Sequence, residues 1–229
     1  MSKSYTVIGG AGLDIHVREW GNPNGQAVLF IHGWSQNHLC WNKQFNSDLA
    51  KDLRIVALDI RGHGMSGSPL EVEHYNQNQL WADDIKAVIE TLALKQPILS
   101  GWSYGGLVIG DYLRIYGTAE IGGINFVAAA PALNESALGT LIGPGFYENF
   151  EAATDADLTM SMPAIIGFLR DCFEIQPTQE EFELMISFNA VVSPLVRANL
   201  AAREIDNKDV LQKIDIPVLV SHGREDKVV

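Results

Sequence analysis

Ser103 stands in the run Gly101-Trp102-Ser103-Tyr104-Gly105-Gly106, a Gly-x-Ser-x-Gly pattern. The apolar stretch Pro97-Ile98-Leu99-Ser100 precedes it, and Val108, Tyr112 and Ile115 follow at helical spacing. That context predicts a strand, a sharp turn carrying the serine, and a helix. Only small neighbours fit such a turn, which accounts for Gly101 and Gly105. The hydroxyl then stands over the positive end of the helix, where a serine can attack a carbonyl carbon. Taken alone, the pentapeptide also reads as a Gly-rich turn with a solvent-facing serine, because short motifs recur by chance.

Acyl transfer needs more than a nucleophile: two N–H donors for the oxyanion, and a base oriented by a carboxylate. Phe30-Ile31-His32-Gly33-Trp34 ends an apolar strand, and the backbone amides of Trp34 and Tyr104 are the natural donor pair. Gly223-Arg224-Glu225-Asp226 follows the last apolar strand and offers Asp226, whose plainer reading is a carboxylate capping a surface turn. Asp59-Ile60-Arg61-Gly62-His63-Gly64-Met65-Ser66 follows another strand, where Asp59 and Arg61 read as fold residues. Trp34 and Trp102 read as walls of an acyl pocket or as plain core. None of the six histidines is nominated as the base. His32 and His63 read as braces of their loops, His16 alternates within a hairpin, and His38 and His74 sit on polar ground. His222, four residues before Asp226, is too close to it to reach Ser103 with the acid behind.

These residues need a scaffold of strand ends. Residues 5–8 and 13–20 read as a hairpin around Gly9-Gly10-Ala11-Gly12. Residues 27–31, 54–58, 97–100, 124–129 and 217–221 read as buried strands. Trp41, Phe45 and Leu49 predict one helix face, and Trp81, Ile85, Val88 and Leu92 another. Strands alternating with helices predict an α/β fold with a mostly parallel sheet flanked by helices. Residues 134–214 break the rhythm with helical patterns at 164–169, 180–187 and 196–202 and no strand, too long for a loop. The expected division is a core of residues 1–133 and 215–229 with a helical lid, residues 134–214, inserted after the sixth strand. Phe168 and Phe188 belong to an apolar lid set that either packs on itself or faces a substrate pocket.

The chain has 229 residues and a formal charge of −12, which disfavours nucleic acid and anionic membrane as partners. Its two cysteines, Cys40 and Cys172, suggest neither a disulfide framework nor a zinc site. No run approaches the roughly 20 apolar residues of a membrane span, and residues 1–5 lack the apolar core of a signal peptide. A cytoplasmic protein without cofactor or metal is expected.

Four motifs in order, each at a strand end, resemble the α/β-hydrolase superfamily over nearly the whole chain. His32-Gly33-Trp34 with Trp41 and Gln44 beyond it, and Arg61-Gly62-His63-Gly64, are similar to the cofactor-free haloperoxidase-like esterases. His32-Gly33-Trp34 with Gly101-Trp102-Ser103 also resembles the pimeloyl-carrier methyl ester carboxylesterases. The resemblance implies Ser103 as nucleophile, Trp34 and Tyr104 as oxyanion donors and Asp226 as triad acid. It also implies a histidine some tens of residues after the acid. The chain stops at Val229, so the histidine, the last strand and the last helix are expected to be lacking. Pro217-Val218-Leu219-Val220-Ser221 would then be an open edge prone to self-association.

The function expected on this resemblance is cleavage of small to medium carboxylic esters through an acyl-enzyme on Ser103. Perhydrolase or haloperoxidase-like activity, lactone hydrolysis and carbon–carbon bond hydrolysis use the same triad. Dehalogenase and epoxide hydrolase chemistry are disfavoured, since those relatives carry Asp at the elbow. The rival of another class is a non-catalytic ligand-binding protein that keeps the pocket without a base.

Overall fold

Alternating side chains make the first two strands a hairpin: β1 (Lys3–Ile8) pairs antiparallel with β2 (Asp14–Gly21), with Val7 opposite Ile15. The computed structural model describes residues 2–137 and 140–229. β3 (Gln26–Ile31) is apolar on both faces, as a strand covered on both sides must be. Its Ala27, Leu29 and Ile31 face the larger core, while Val28 and Phe30 face a smaller one with Trp41 and Phe45.

After β3 the expected helix through Trp41, Phe45 and Leu49 is broken. A 3-10 turn (His38–Trp41) leads into α1 (Asn42–Phe45), and α2 (Leu49–Asp52) is separate, with Leu49 47% exposed. The break lies at Asn46-Ser47-Asp48. Asn46 Nδ2 and Ser47 Oγ donate to the Asn42 and Gln44 carbonyls, and Ser47 Oγ accepts from the Leu49 amide. Side chains of this kind offer the backbone an alternative to helix.

β4 (Leu53–Leu58), α3 (Asn78–Thr91), β5 (Ile98–Trp102), α4 (Tyr104–Tyr116) and β6 (Gly123–Val127) continue the alternation. In α3, Trp81, Ile85 and Val88 are buried, as their spacing predicts. β7 (Ala132–Leu133) then opens the helical segment: α5 (Pro144–Ala153), α6 (Leu158–Asp171), α7 (Gln179–Ala190) and α8 (Pro194–Ala201). Asp157 caps α6, and a Thr178–Glu181 capping box starts α7. The interval 134–214 also holds a strand the sequence did not reveal. β8 (Ile205–Asp206) pairs antiparallel with β7 and closes the base of the segment. Two residues carry no readable period. α9 (Lys208–Leu211) leads to β9 (Val218–Ser221).

The main sheet runs β1-β2-β4-β3-β5-β6-β9, parallel from β4 onward. β3, β5, β6 and β9 therefore deliver their carboxyl ends, and the loops after them, to one rim, where ligands bind in open parallel sheets. Among the described residues no single helix is long and apolar enough to cross a membrane.

Candidate active site

Ser103 joins β5 to α4 with φ 51° and ψ −116°, a left-handed strained backbone for a non-glycine residue. The turn closes because its flanks have no side chains. A Cβ on Gly105 would stand 2.3 Å from the Ile31 carbonyl oxygen, and one on Gly101 would stand 2.7 Å from the Gly105 backbone. Ser103 is the N-cap residue of α4, yet its side chain makes no capping bond, so Oγ is left for other work. The Tyr104 amide, first of the helix, has no intrahelical acceptor.

The loop after β3 comes against this turn. A Cβ on Gly33 would lie 3.1 Å from Ser103 Cβ and 3.6 Å from its Oγ. The loop's braces are buried imidazoles. His32 Nδ1 donates to the Gly33 carbonyl (2.8 Å) and its Nε2 accepts from the Ile60 amide (3.0 Å). His63 repeats the pattern, Nδ1 to the Arg61 carbonyl (3.0 Å) and Nε2 from the Ser35 amide (3.1 Å). Those partners fix the tautomers and occupy the lone pairs a general base would need. Burial pulls the two rings down, His32 to about 4 and His63 to about 3.

Asp59 is the second brace. Its carboxylate accepts from His38 Nδ1 (2.8 Å), the His38 amide (2.7 Å), His16 Nδ1 (3.0 Å) and the Met65 amide (3.0 Å). Burial pushes its pKa up, but the bonds from His16 and His38 win and hold it far below the ordinary carboxylate range. With both oxygens taken, this His–Asp–His group ties the loop to the turn at residues 59–66. Arg61 is likewise internal, in a buried bidentate pair with Asp84 at 2.8 Å.

Two small cavities, each about 40 Å³, flank Ser103. The first is lined by Trp34, Tyr104, Leu107, Leu133, Ile142 and Phe146, among others, and is apolar. The second brings Trp34, Trp102, Ser103, Phe168 and Asp226 together with Gln36 and Cys172. Phe188, expected beside them, is buried in α7 but lines neither cavity. Burial pushes the Cys172 thiol up to about 12, with Asp226 and Asp171 adding to it, so it stays protonated. A larger, open groove of about 600 Å³ at Trp20, Phe45 and Lys51 shares no residue with Ser103.

Asp226 Oδ1 accepts from the amides of Val228 (2.9 Å) and Val229 (3.1 Å). His222 Nε2 lies 3.7 Å from Asp226 Oδ2 and donates to the Val229 carbonyl at 2.9 Å. It lines a different cavity, beside Pro131 and Tyr147. None of the six histidines lines either cavity at Ser103.

The helical segment covers the site from above. Trp34 meets Phe168 edge-on (5.5 Å, 90°) and packs beside Phe146 and Phe150. Sequence reasoning missed the polar side of this contact. The Trp34 indole N–H donates to the Arg197 carbonyl (3.1 Å), and Tyr104 Oη donates to the Leu200 carbonyl (3.1 Å). The Arg197 guanidinium, 1% exposed, reaches Ser35 Oγ and the carbonyls of Ala153 and Asn189. Arg203 pairs with Asp111 at 2.8 and 2.9 Å and donates to Tyr104 Oη at 3.1 Å. A lone arginine beside Val196 on a short helix leaves no signal that it is buried.

Residues 28–228 match the model of the family described as "Alpha/beta hydrolase family". The esterase RhEst1 from Rhodococcus sp. ECU1013 superimposes with a TM-score of 0.92 at 33% identity, over 99% of this chain and 82% of that one. The bifunctional esterase/perhydrolase DCH of Acinetobacter calcoaceticus is 28% identical over 95% of this chain and 80% of its own. A non-heme chloroperoxidase of Streptomyces lividans is 28% identical over 98% of this chain and 83% of its own.

Proposed function

The chain belongs to the alpha/beta hydrolase family, and from that premise we propose that it is a serine hydrolase acting on small carboxylic esters through an acyl-enzyme on Ser103. The observation that carries this is the strained Ser103 elbow, with Gly33 against its side chain and Trp34, Tyr104 and Asp226 around the same cavities. In this reading Ser103 Oγ attacks the ester carbonyl, and the amides of Trp34 and Tyr104 hold the oxyanion. The alcohol leaves, and water releases the acid. Asp226 is the carboxylate available to orient a base. The helical segment acts as a lid, and the apolar lining with its small volume favours short acyl groups. Relatives named as perhydrolase and chloroperoxidase suggest that peroxide could replace water as acceptor of the acyl group.

A second reading, a ligand-binding protein without turnover, draws on one observation: no histidine of this chain lines the cavities at Ser103. Intact mass of the chain incubated with a p-nitrophenyl short-chain ester or an alkyl fluorophosphonate, with imidazole present as an external base, separates the two. The hydrolase reading expects one adduct per chain, lost in Ser103→Ala. No adduct with either reagent sinks it and leaves the binding reading.

A further inference from the structure

The geometry points to helix α8 as the element that sets both oxyanion donors, with Arg197 and Arg203 as positioning residues that act through the side chains of Trp34, Ser35 and Tyr104. This rests on the reading of Trp34 and Tyr104 as oxyanion donors given above.

The two donors come from distant parts of the chain, the loop after β3 and the start of α4. Their side chains nevertheless end on one helix. The Trp34 indole reaches the Arg197 carbonyl, and Tyr104 Oη reaches the Leu200 carbonyl three residues on, close to one turn along α8. The charged groups at this end of the segment reinforce the same residues. Arg197 Nε donates to Ser35 Oγ at 2.9 Å, and Arg203 Nη1 donates to Tyr104 Oη at 3.1 Å.

Ser35 needs the hold. Its φ is 62°, a left-handed conformation that a non-glycine residue adopts only when its surroundings enforce it. Its amide is fixed by His63 Nε2 and its hydroxyl by Arg197, so the residue directly after the Trp34 donor is pinned at both ends. Arg197 also breaks the rule that a buried charge is paired. Among the described residues it touches only neutral oxygens, those of Ser35, Ala153 and Asn189, and no carboxylate. Burial pulls it down to about 10, still charged at neutral pH. An apolar side chain would pack this helix at less cost. A cation retained here joins three elements to the loop: α8 itself, the end of α5 through Ala153 and the end of α7 through Asn189. The oxyanion donors are thereby tied to the helical segment above them, and displacing α8 would move both. Misplacing reacting groups by about 1 Å costs on the order of a hundredfold in rate.

The test uses variants that each remove one oxygen atom and leave both backbone donors in the chain, Ser35→Ala and Tyr104→Phe. An alkyl fluorophosphonate with imidazole present is the probe. The Ser103 Oγ–P bond forms, the P–F bond breaks, fluoride leaves, the serine proton goes to imidazole, and the phosphoryl oxygen occupies the oxyanion position. Each variant is expected to lower the maximal labelling rate about tenfold, and the pair together about a hundredfold, with the half-saturating concentration unchanged within about twofold. Arg197→Lys, which keeps the charge and one donor, should fall between the parent and Arg197→Met. Asn199→Ala, which removes an α8 contact to the Leu70 carbonyl but no tether, should label at the parent rate. A double variant labelled at the parent rate overturns the inference, as does a loss confined to the half-saturating concentration, since packing alone would give that. A parent chain that is never labelled at Ser103 overturns the proposed function itself and takes this inference with it.

Discussion

At the scale of single residues, the site is held by groups that have spent their proton-transfer capacity on structure. His32 and His63 each accept a backbone amide on Nε2 and donate from Nδ1, a pattern only the neutral ring can satisfy. Their native pKa values, about 4 and about 3, lie below the ordinary 6.5 of an exposed histidine, so on acidification the unfolded chain takes up the protons first. The stability they confer is full above pH 6.5 and falls as the pH drops towards 4. Asp59, depressed below its ordinary value, adds a further loss below about pH 4. Urea unfolding midpoints should therefore hold steady between pH 8 and pH 7 and fall from about pH 6.5 to pH 5, less the offset from Asp111, whose carboxyl burial raises to about 6, so that protonating it in the same range favours the native state. His63→Gln, which keeps an acceptor for the Ser35 amide, should flatten part of that slope. A pH slope identical in the parent and in His63→Gln would show that the His63 ring is charged or solvated in the native state.

At the scale of elements, an aromatic cluster around Trp34 joins the helical segment to the loop after β3, and it sits on the site. Phe168 of α6 stands edge-on to Trp34, with Phe146 of α5 on both. Phe168→Ala removes a buried ring and should cost about 3–5 kcal/mol, read as a lowered melting temperature. Because Phe168 lines the cavity at Ser103, the same change should shift adduct formation towards longer acyl chains; the preference staying with short chains would place the acyl group elsewhere. Legibility from sequence divides along the same line. Ser103, Trp34 and Asp226 could be read because each follows an apolar strand, and the sheet order then brings those strand ends to one rim. Trp41 through Leu49 misled, because Ser47 and Asn46 outcompete helix that the apolar spacing favours. β8 is too short for a period, and Phe188 showed only that it is apolar, not which neighbour it meets. Arg197 was invisible: its partners lie in three different elements, and nothing local marks a cation that will be buried.

At the scale of the whole molecule, the sheet has two edges of different character. One is the β1 hairpin, where Lys3 and Arg18 flank the strands. The other is β9, whose Val218, Leu219 and Val220 are 45%, 59% and 67% exposed. The carbonyls of Pro217 and Ser221 accept from the amides of Ile124 in β6 and Ala128 just after it, so the period of two turns Val218 and Val220 backbone groups to the open side. Donors and acceptors left unpaired among the described residues and framed by apolar side chains form a template for another strand, and a second copy of β9, related by a two-fold axis, is the partner expected to pair with it antiparallel. The formal charge of −12 works against that encounter, since like-charged copies repel until salt screens them. The 229-residue chain should therefore sediment with a mass that rises with concentration, and more so at about 0.5 M salt than at about 0.02 M, where the screening length is several times longer. Val220→Pro removes an edge donor without touching the β6 ladder, and Leu219→Lys adds charge beside it; both should return the monomer. A monomer at every concentration and salt would mean that the exposed β9 side chains do not suffice to pair two copies. Association that survives both substitutions would move the contact to the exposed apolar residues of the helical segment, such as Leu158, Val191 and Leu195.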